Sequence, residues 1–175
     1  ESVRGDSAYF EPLKHVIVHY KGRRNFMIGA RHPENGAPFD DYSIGLLGIE
    51  GREGTYKDAE DGILSRNNIE HGLVDSVIGL YKHIPAKGSG TVEYLICIAK
   101  LREEVEALHD YVLRKSPTYL IKTTKDYWKA WVNKREYNFR DLPAETTRLF
   151  HKSLEVVRVH ADDTGGIIAS SDTDL

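Results

Sequence analysis

Cysteine occurs once in the 175 residues, and the basic and acidic side chains almost cancel, 24 against 27. A single thiol has no partner for an internal disulfide, so nothing in the chain calls for an oxidising compartment. Cys97 lies in the apolar run "YLICIAK" (Tyr94–Lys100) and reads as a small buried hydrophobe. No apolar run approaches the roughly 18 residues that a membrane-crossing helix needs. No block of like charge is long enough to hold nucleic acid or an anionic membrane. The densest basic piece, Lys21-Gly22-Arg23-Arg24, reads as a solvated hairpin turn. No signal peptide is apparent and the first residue is Glu1, which suggests a cytoplasmic segment of a longer polypeptide. CxxC pairs, HxxxH on a helix, GxSxG elbows and GxxxxGK[ST] loops are all missing, which leaves no standard zinc, serine-nucleophile or phosphate-cradle motif.

What is present is ordered by periodicity. "HVIVHYK" (His15–Lys21) and "NFMIGAR" (Asn25–Arg31) flank Gly22-Arg23-Arg24 as the arms of a β-hairpin. About fifty residues rich in Gly, Asp and Asn follow from His32. "VDSVIGLYKHI" (Val74–Ile84) and "GTVEYLICIAK" (Gly90–Lys100) then read as strands separated by Pro85, Gly88 and Gly90. In the second, Tyr94, Ile96 and Ile98 fall on one face and Leu95, Cys97 and Ala99 on the other, the pattern of a strand buried on both sides. At Lys100 the period changes. Leu101, Val105, Leu108 and Val112 recur at helical spacing, with Arg114-Lys115 at the C-terminal end. Ser116-Pro117 offers an N-cap and a first-turn proline to a second helix carrying Leu120, Ile121, Tyr127, Trp128 and Trp131. A third helix is expected from near Asp141-Leu142-Pro143 to Val157, ended by "ADDTGG" (Ala161–Gly166). Four or five strands are few for a closed sandwich, and the third helix has little to pack against.

The densest cluster of potentially reactive groups is "YKDAEDGILSRNNIEHG" (Tyr56–Gly72), which holds Asp58, Glu60, Asp61, Glu70 and His71. A calcium loop needs oxygens at positions 1, 3, 5 and 12 and glycine at 6. With Gly62 at position 6, Lys57 and Ala59 occupy two of the four ligand places. His15 and His19 are about 13 Å apart along a strand, too far to share a zinc ion. Asp58 and Asp61 read as turn formers bonding to nearby N–H groups, not as an acid/base pair. Tyr127, Trp128 and Trp131 read as packing residues before a sugar-stacking platform.

Four stretches resemble glycoside hydrolase family 15, the glucoamylase and glucodextranase family, in its prokaryotic and archaeal form. "YKDAEDGILSRNNIEHGLVDS" (Tyr56–Ser76) is similar to a signature of the family's N-terminal β-sandwich. "DYWKAWV" (Asp126–Val132) resembles its Trp-x-x-Trp linker helix, and "TRLFHKSLEVVRVHAD" (Thr147–Asp162) the first helix of its catalytic (α/α)6 barrel. "TGGIIASSDTDL" (Thr164–Leu175) resembles the segment leading on toward the active site. Leu73 and Ser170-Ser171 depart from the common pattern.

The resemblance implies an α+β chain: the C-terminal part of an antiparallel β-sandwich over 1–100, linker helices over 101–140, and the start of an (α/α)6 barrel over 141–175. It implies an inverting glucosidase acting on an α-glucan or trehalose-type substrate, with the remaining catalytic domain as partner and no cofactor or metal. The family's two catalytic glutamates and its glucose-holding Trp/Arg/Asp motif have no counterpart among these 175 residues. No residue here therefore receives a catalytic, substrate-binding or metal-binding role, and the fragment alone is expected to be inactive. The alternative is a non-catalytic carbohydrate-binding or interdomain assembly module.

Overall fold

The computed structural model describes residues 6–48, 51–162 and 164–167. Among them are seven strands and four helices, and the chain divides into two compact units after Lys115.

In the first unit, β1 (Ser7–Glu11), β2 (Val16–Lys21) and β3 (Arg24–Arg31) form an antiparallel meander. The expected hairpin is present. Lys21 pairs with Arg24 across a two-residue turn whose Gly22 has φ 60°, a left-handed conformation open to glycine. β5 (Ile69–His71) joins the far edge of β1, and β7 (Glu93–Ala99) pairs along β3, which gives the order β5-β1-β2-β3-β7. β4 (Asp41–Leu46) and β6 (Val74–Gly79) pair as a second, two-stranded sheet.

Alternation along β2 explains the layering. Val16 and Val18 point to one face and join Met27, Cys97 and Val105 in a buried cluster. Val105 belongs to α2 (Arg102–Lys115), so this helix packs on that face. Ile17 points to the other face and joins Ala8, Ala30, Phe39 and Ile44, with Val74 and Ile78 of β6 against them. The two antiparallel sheets thus share one apolar layer, and α2 covers the opposite side of the larger sheet. Glu103 and Glu104 in its first turn and Arg114 and Lys115 in its last oppose the helix dipole.

The structure corrects the sequence in three places. Leu95 and Cys97 of β7 are buried under α2, but Tyr94, Ile96 and Ile98 are about half exposed, because β7 is an edge strand that the small second sheet does not reach. The buried stripe of α2 runs through Val105 and His109, with Val112 packed beside it, and leaves Leu101 and Leu108 exposed. β6 stops at Gly79, short of Ile84, since the Tyr81 N–H donates to Asp40 Oδ2 at 2.7 Å and draws the chain out of the ladder.

In the second unit, α3 (Pro117–Val132) starts at the expected cap: Ser116 Oγ accepts from the Tyr119 N–H at 3.3 Å, and Pro117 opens the first turn. α4 (Ala144–Val159) follows Pro143 and buries none of its residues. Phe150 of α4 meets Tyr137 and Phe139 of the preceding connection edge-on, with centroids 4.9 and 5.3 Å away. The chain leaves α4 through a turn in which Asp162 Oδ1 accepts the N–H groups of Thr164 and Gly166, each at 2.8 Å. Most of the "TGGIIASSDTDL" stretch, from residue 168 on, lies outside the described residues.

Candidate functional site

The carboxylate-rich stretch lies over the outer face of the two-stranded sheet. α1 (Thr55–Asp58) brings it there. Thr55 is buried, and its N–H and Oγ1 both donate to Asp75 Oδ2 of β6, at 2.6 and 3.0 Å. Two glycines make that approach possible. A Cβ on Gly45 would stand 2.8 Å from Thr55 Cγ2, and one on Gly54 would stand 2.6 Å from Asp75 Oδ2. Gly54 also has φ 90°, so a side chain is disfavoured there twice.

Each acidic group of the cluster is occupied in holding the loop. Asp58 Oδ2 accepts from the Ser65 N–H at 2.8 Å and the Ser65 hydroxyl at 3.0 Å. Ser65 Oγ in turn is 2.8 Å from Ser43 Oγ on β4. Asp61 Oδ1 accepts from the Ile63 N–H at 2.9 Å across Gly62, an Asx turn. Glu60 pairs with Lys57 in the same helical turn. Glu70 Oε1 receives Asn67 Nδ2 at 3.0 Å and Arg52 Nη1 at 3.3 Å. Asn67 Nδ2 also donates to the Ile44 carbonyl at 2.8 Å, and the Ile44 N–H returns a bond to Asn67 O at 3.2 Å. His71 is exposed on β5, where its backbone pairs with Ser7. Asp61 forms the expected turn, whereas Asp58 accepts a backbone N–H seven residues on and ties the loop back to the end of α1.

A cavity of about 320 Å3 borders these residues, lined among others by Ser43, Glu53, Asp58, Ser65, Asn67 and Glu70. Its electrostatics oppose general-acid work. The Ser65 N–H, above all, holds the Asp58 carboxyl below its ordinary range, whereas a general acid at neutral pH must be raised. Nearby Asp41 is also lowered; burial pushes it up, but the Arg66 guanidinium and the Tyr42 N–H outweigh that. Among the described residues no three His, Cys, Asp or Glu side chains gather as a metal site would require.

The histidines separate. His15 Nε2 lies 3.0 Å from the Phe39 carbonyl, and His19 Nε2 lies 2.9 Å from Ser76 Oγ between the sheets. Trp128 and Trp131 are half-buried and Tyr127 is 53% exposed. The two indoles meet edge-to-face at 76°, so they form no flat platform. Sequence reasoning passed over His109, the histidine most deeply enclosed in the fold, with 3% of its surface exposed. Its place four residues after Val105 was the available signal. No helix among the described residues is long and apolar enough to cross a membrane.

The chain matches no family model, no curated protein and no solved structure.

Proposed function

We propose that this chain supplies the sandwich portion, linker helices and first barrel helix of an inverting, glucoamylase-like glucosidase of the cytoplasm. The four-stretch resemblance is the source of the reading, and the observation that carries it is α4. This 16-residue helix buries nothing, and Leu149, Val156, Val157 and Val159 are all about half exposed or more. A helix so amphipathic yet so uncovered is suited to a larger helical assembly that packs it from more than one side. The half-covered sheet carrying Tyr94, Ile96 and Ile98 supports the same reading.

Catalysis would then reside in the partner domain. Inverting hydrolysis needs two carboxyls about 6.5–9.5 Å apart with a water between them, one raised in pKa to protonate the leaving oxygen. The carboxyls of the Tyr56–Gly72 loop are engaged in turns and ion pairs instead. A carbohydrate-binding module is the second reading, favoured by the partial exposure of Trp128 and Trp131 and opposed by their steeply inclined rings.

The test is hydrolysis followed by proton NMR. The 175-residue chain should release no glucose from maltose, maltotriose or trehalose. The polypeptide that continues into the barrel should release glucose whose first anomer is β. Turnover by the isolated chain, lost in Asp58→Asn or Glu70→Gln, would overturn the structural assignment of the loop. An α-anomer first product, or no hydrolysis by the longer polypeptide, would overturn the reading as a whole.

A further inference from the structure

A second cavity, of about 220 Å3, opens between α2 and one end of the five-stranded sheet. Its apolar wall includes Val16, Leu95 and Leu113. Its ionisable lining is one-sided: Lys14, His15, Arg31 and His109 contribute to it, and no carboxylate among the described residues does. The counter-ions stand outside the lining. Asp110 on α2 accepts from Lys14 at 2.8 Å, and Glu93 on β7 pairs with Arg31.

His109 is the unusual member. Its side chain is 4% exposed, and Nδ1 is buried with no hydrogen-bond partner among the described residues, 3.7 Å from Asp110 Oδ1. A buried polar atom left in that state is costly and calls for an explanation. Nε2 is at the other side of the ring, beside Gly29, where a Cβ would stand 3.6 Å from it and 3.3 Å from Val16 Cγ1. Glycine at position 29, itself part of the cavity wall, keeps that space clear.

We infer that this cavity binds a small monocarboxylate with an apolar body, its body against Val16, Leu95 and Leu113 and its carboxylate facing Lys14, Arg31 and His109. The size agrees, since an apolar cavity of about 150 Å3 is enough for a benzene ring. The orphaned nitrogen is accounted for as well. An anion at Nε2 favours the imidazolium, whose Nδ1–H then faces the Asp110 carboxylate 3.7 Å away, so the charge on the ring is set between two negative groups. Binding therefore takes up a proton, and by reciprocity the carboxylate binds more tightly as the pH falls through the imidazole range. The charged groups that set this balance are Lys14 and His15 from the β1–β2 connection, Arg31 from β3, Glu93 from β7 and Asp110 from α2.

Benzoate is the probe, with benzyl alcohol as its uncharged counterpart, and the readout is NMR of the His109 ring and the Gly29 amide. Benzoate should shift both signals saturably, bind about threefold or more tighter near pH 6 than near pH 8, and outcompete benzyl alcohol. Arg31→Gln should weaken benzoate about tenfold while leaving benzyl alcohol unaffected. Gly29→Ala, checked for a retained fold by its amide spectrum, should abolish the His109 shift. Equal binding of benzyl alcohol, undiminished binding by Arg31→Gln, or benzoate shifts that bypass His109 and Gly29 would each overturn the site.

Discussion

His109 and His19 are both imidazoles drawn away from solvent, and burial is the main reason each titrates below the ordinary 6.5. The folded state thus refuses protons that the unfolded chain accepts. Stability from this source is complete above 6.5 and is lost as the pH falls toward the lowered folded values. Asp58 and Asp110, both depressed below 3.8 by hydrogen bonds from Ser65 and Lys14, add a separate loss at pH values beneath 3.8. The urea midpoint should therefore drop between about pH 7.5 and about pH 5, and drop less in His109→Gln. An identical drop in that variant would show that His109 is not the group responsible. At this scale the role of Asp61 was legible, because an Asx turn is made by residues close in sequence, whereas Asp58 reaches Ser65 seven residues on. His109 was not, because its burial depends on a sheet dozens of residues upstream.

Strand β7 shows how much of an element's environment lies outside its own residues. Its two faces are almost equally apolar, yet Cys97 is 3% exposed and Ile96 54%. Only the position of α2 distinguishes them. Cys97→Ser, which buries a hydroxyl in the cluster with Met27 and Val105, should cost about 1–3 kcal/mol in urea unfolding. Ile96→Thr, next to it on the open face, should change stability by no more than about 0.5 kcal/mol. Comparable losses from the two would mean that the outer face of β7 is covered in solution. The helix α2 repeats the lesson: its helical period was plain, but its buried stripe passes through His109, which a reading by hydrophobicity skips in favour of Leu108.

At the scale of the whole molecule, the buried apolar clusters among the described residues belong to the first unit. Both clusters found among the described residues are built from the two sheets and α2, whereas α3 buries only Val132 and α4 nothing. Local opening is least costly where few apolar contacts must be broken. Native-state hydrogen exchange should accordingly be slowest at Val16–Val18 and around Met27, and fastest among the long helices in α4. Protection of α4 equal to that of β2 would contradict its uncovered state.

By itself the sequence determined what depends on neighbours along the chain. The hairpin at Gly22, the capped start of α3 at Ser116-Pro117, the stop of α4 before "ADDTGG" and the switch from strand to helix near Lys100 are all written in residues a few positions apart. The α+β class follows from that order. Tertiary structure decided what depends on contacts between distant segments. It paired β4 with β6 as a separate sheet, drew β5 to the edge of β1, left β7 half open and enclosed His109 above Gly29. Hydrophobicity is carried by each residue, but burial is a property of the surface it meets, and that surface exists only once the sheets and α2 have assembled.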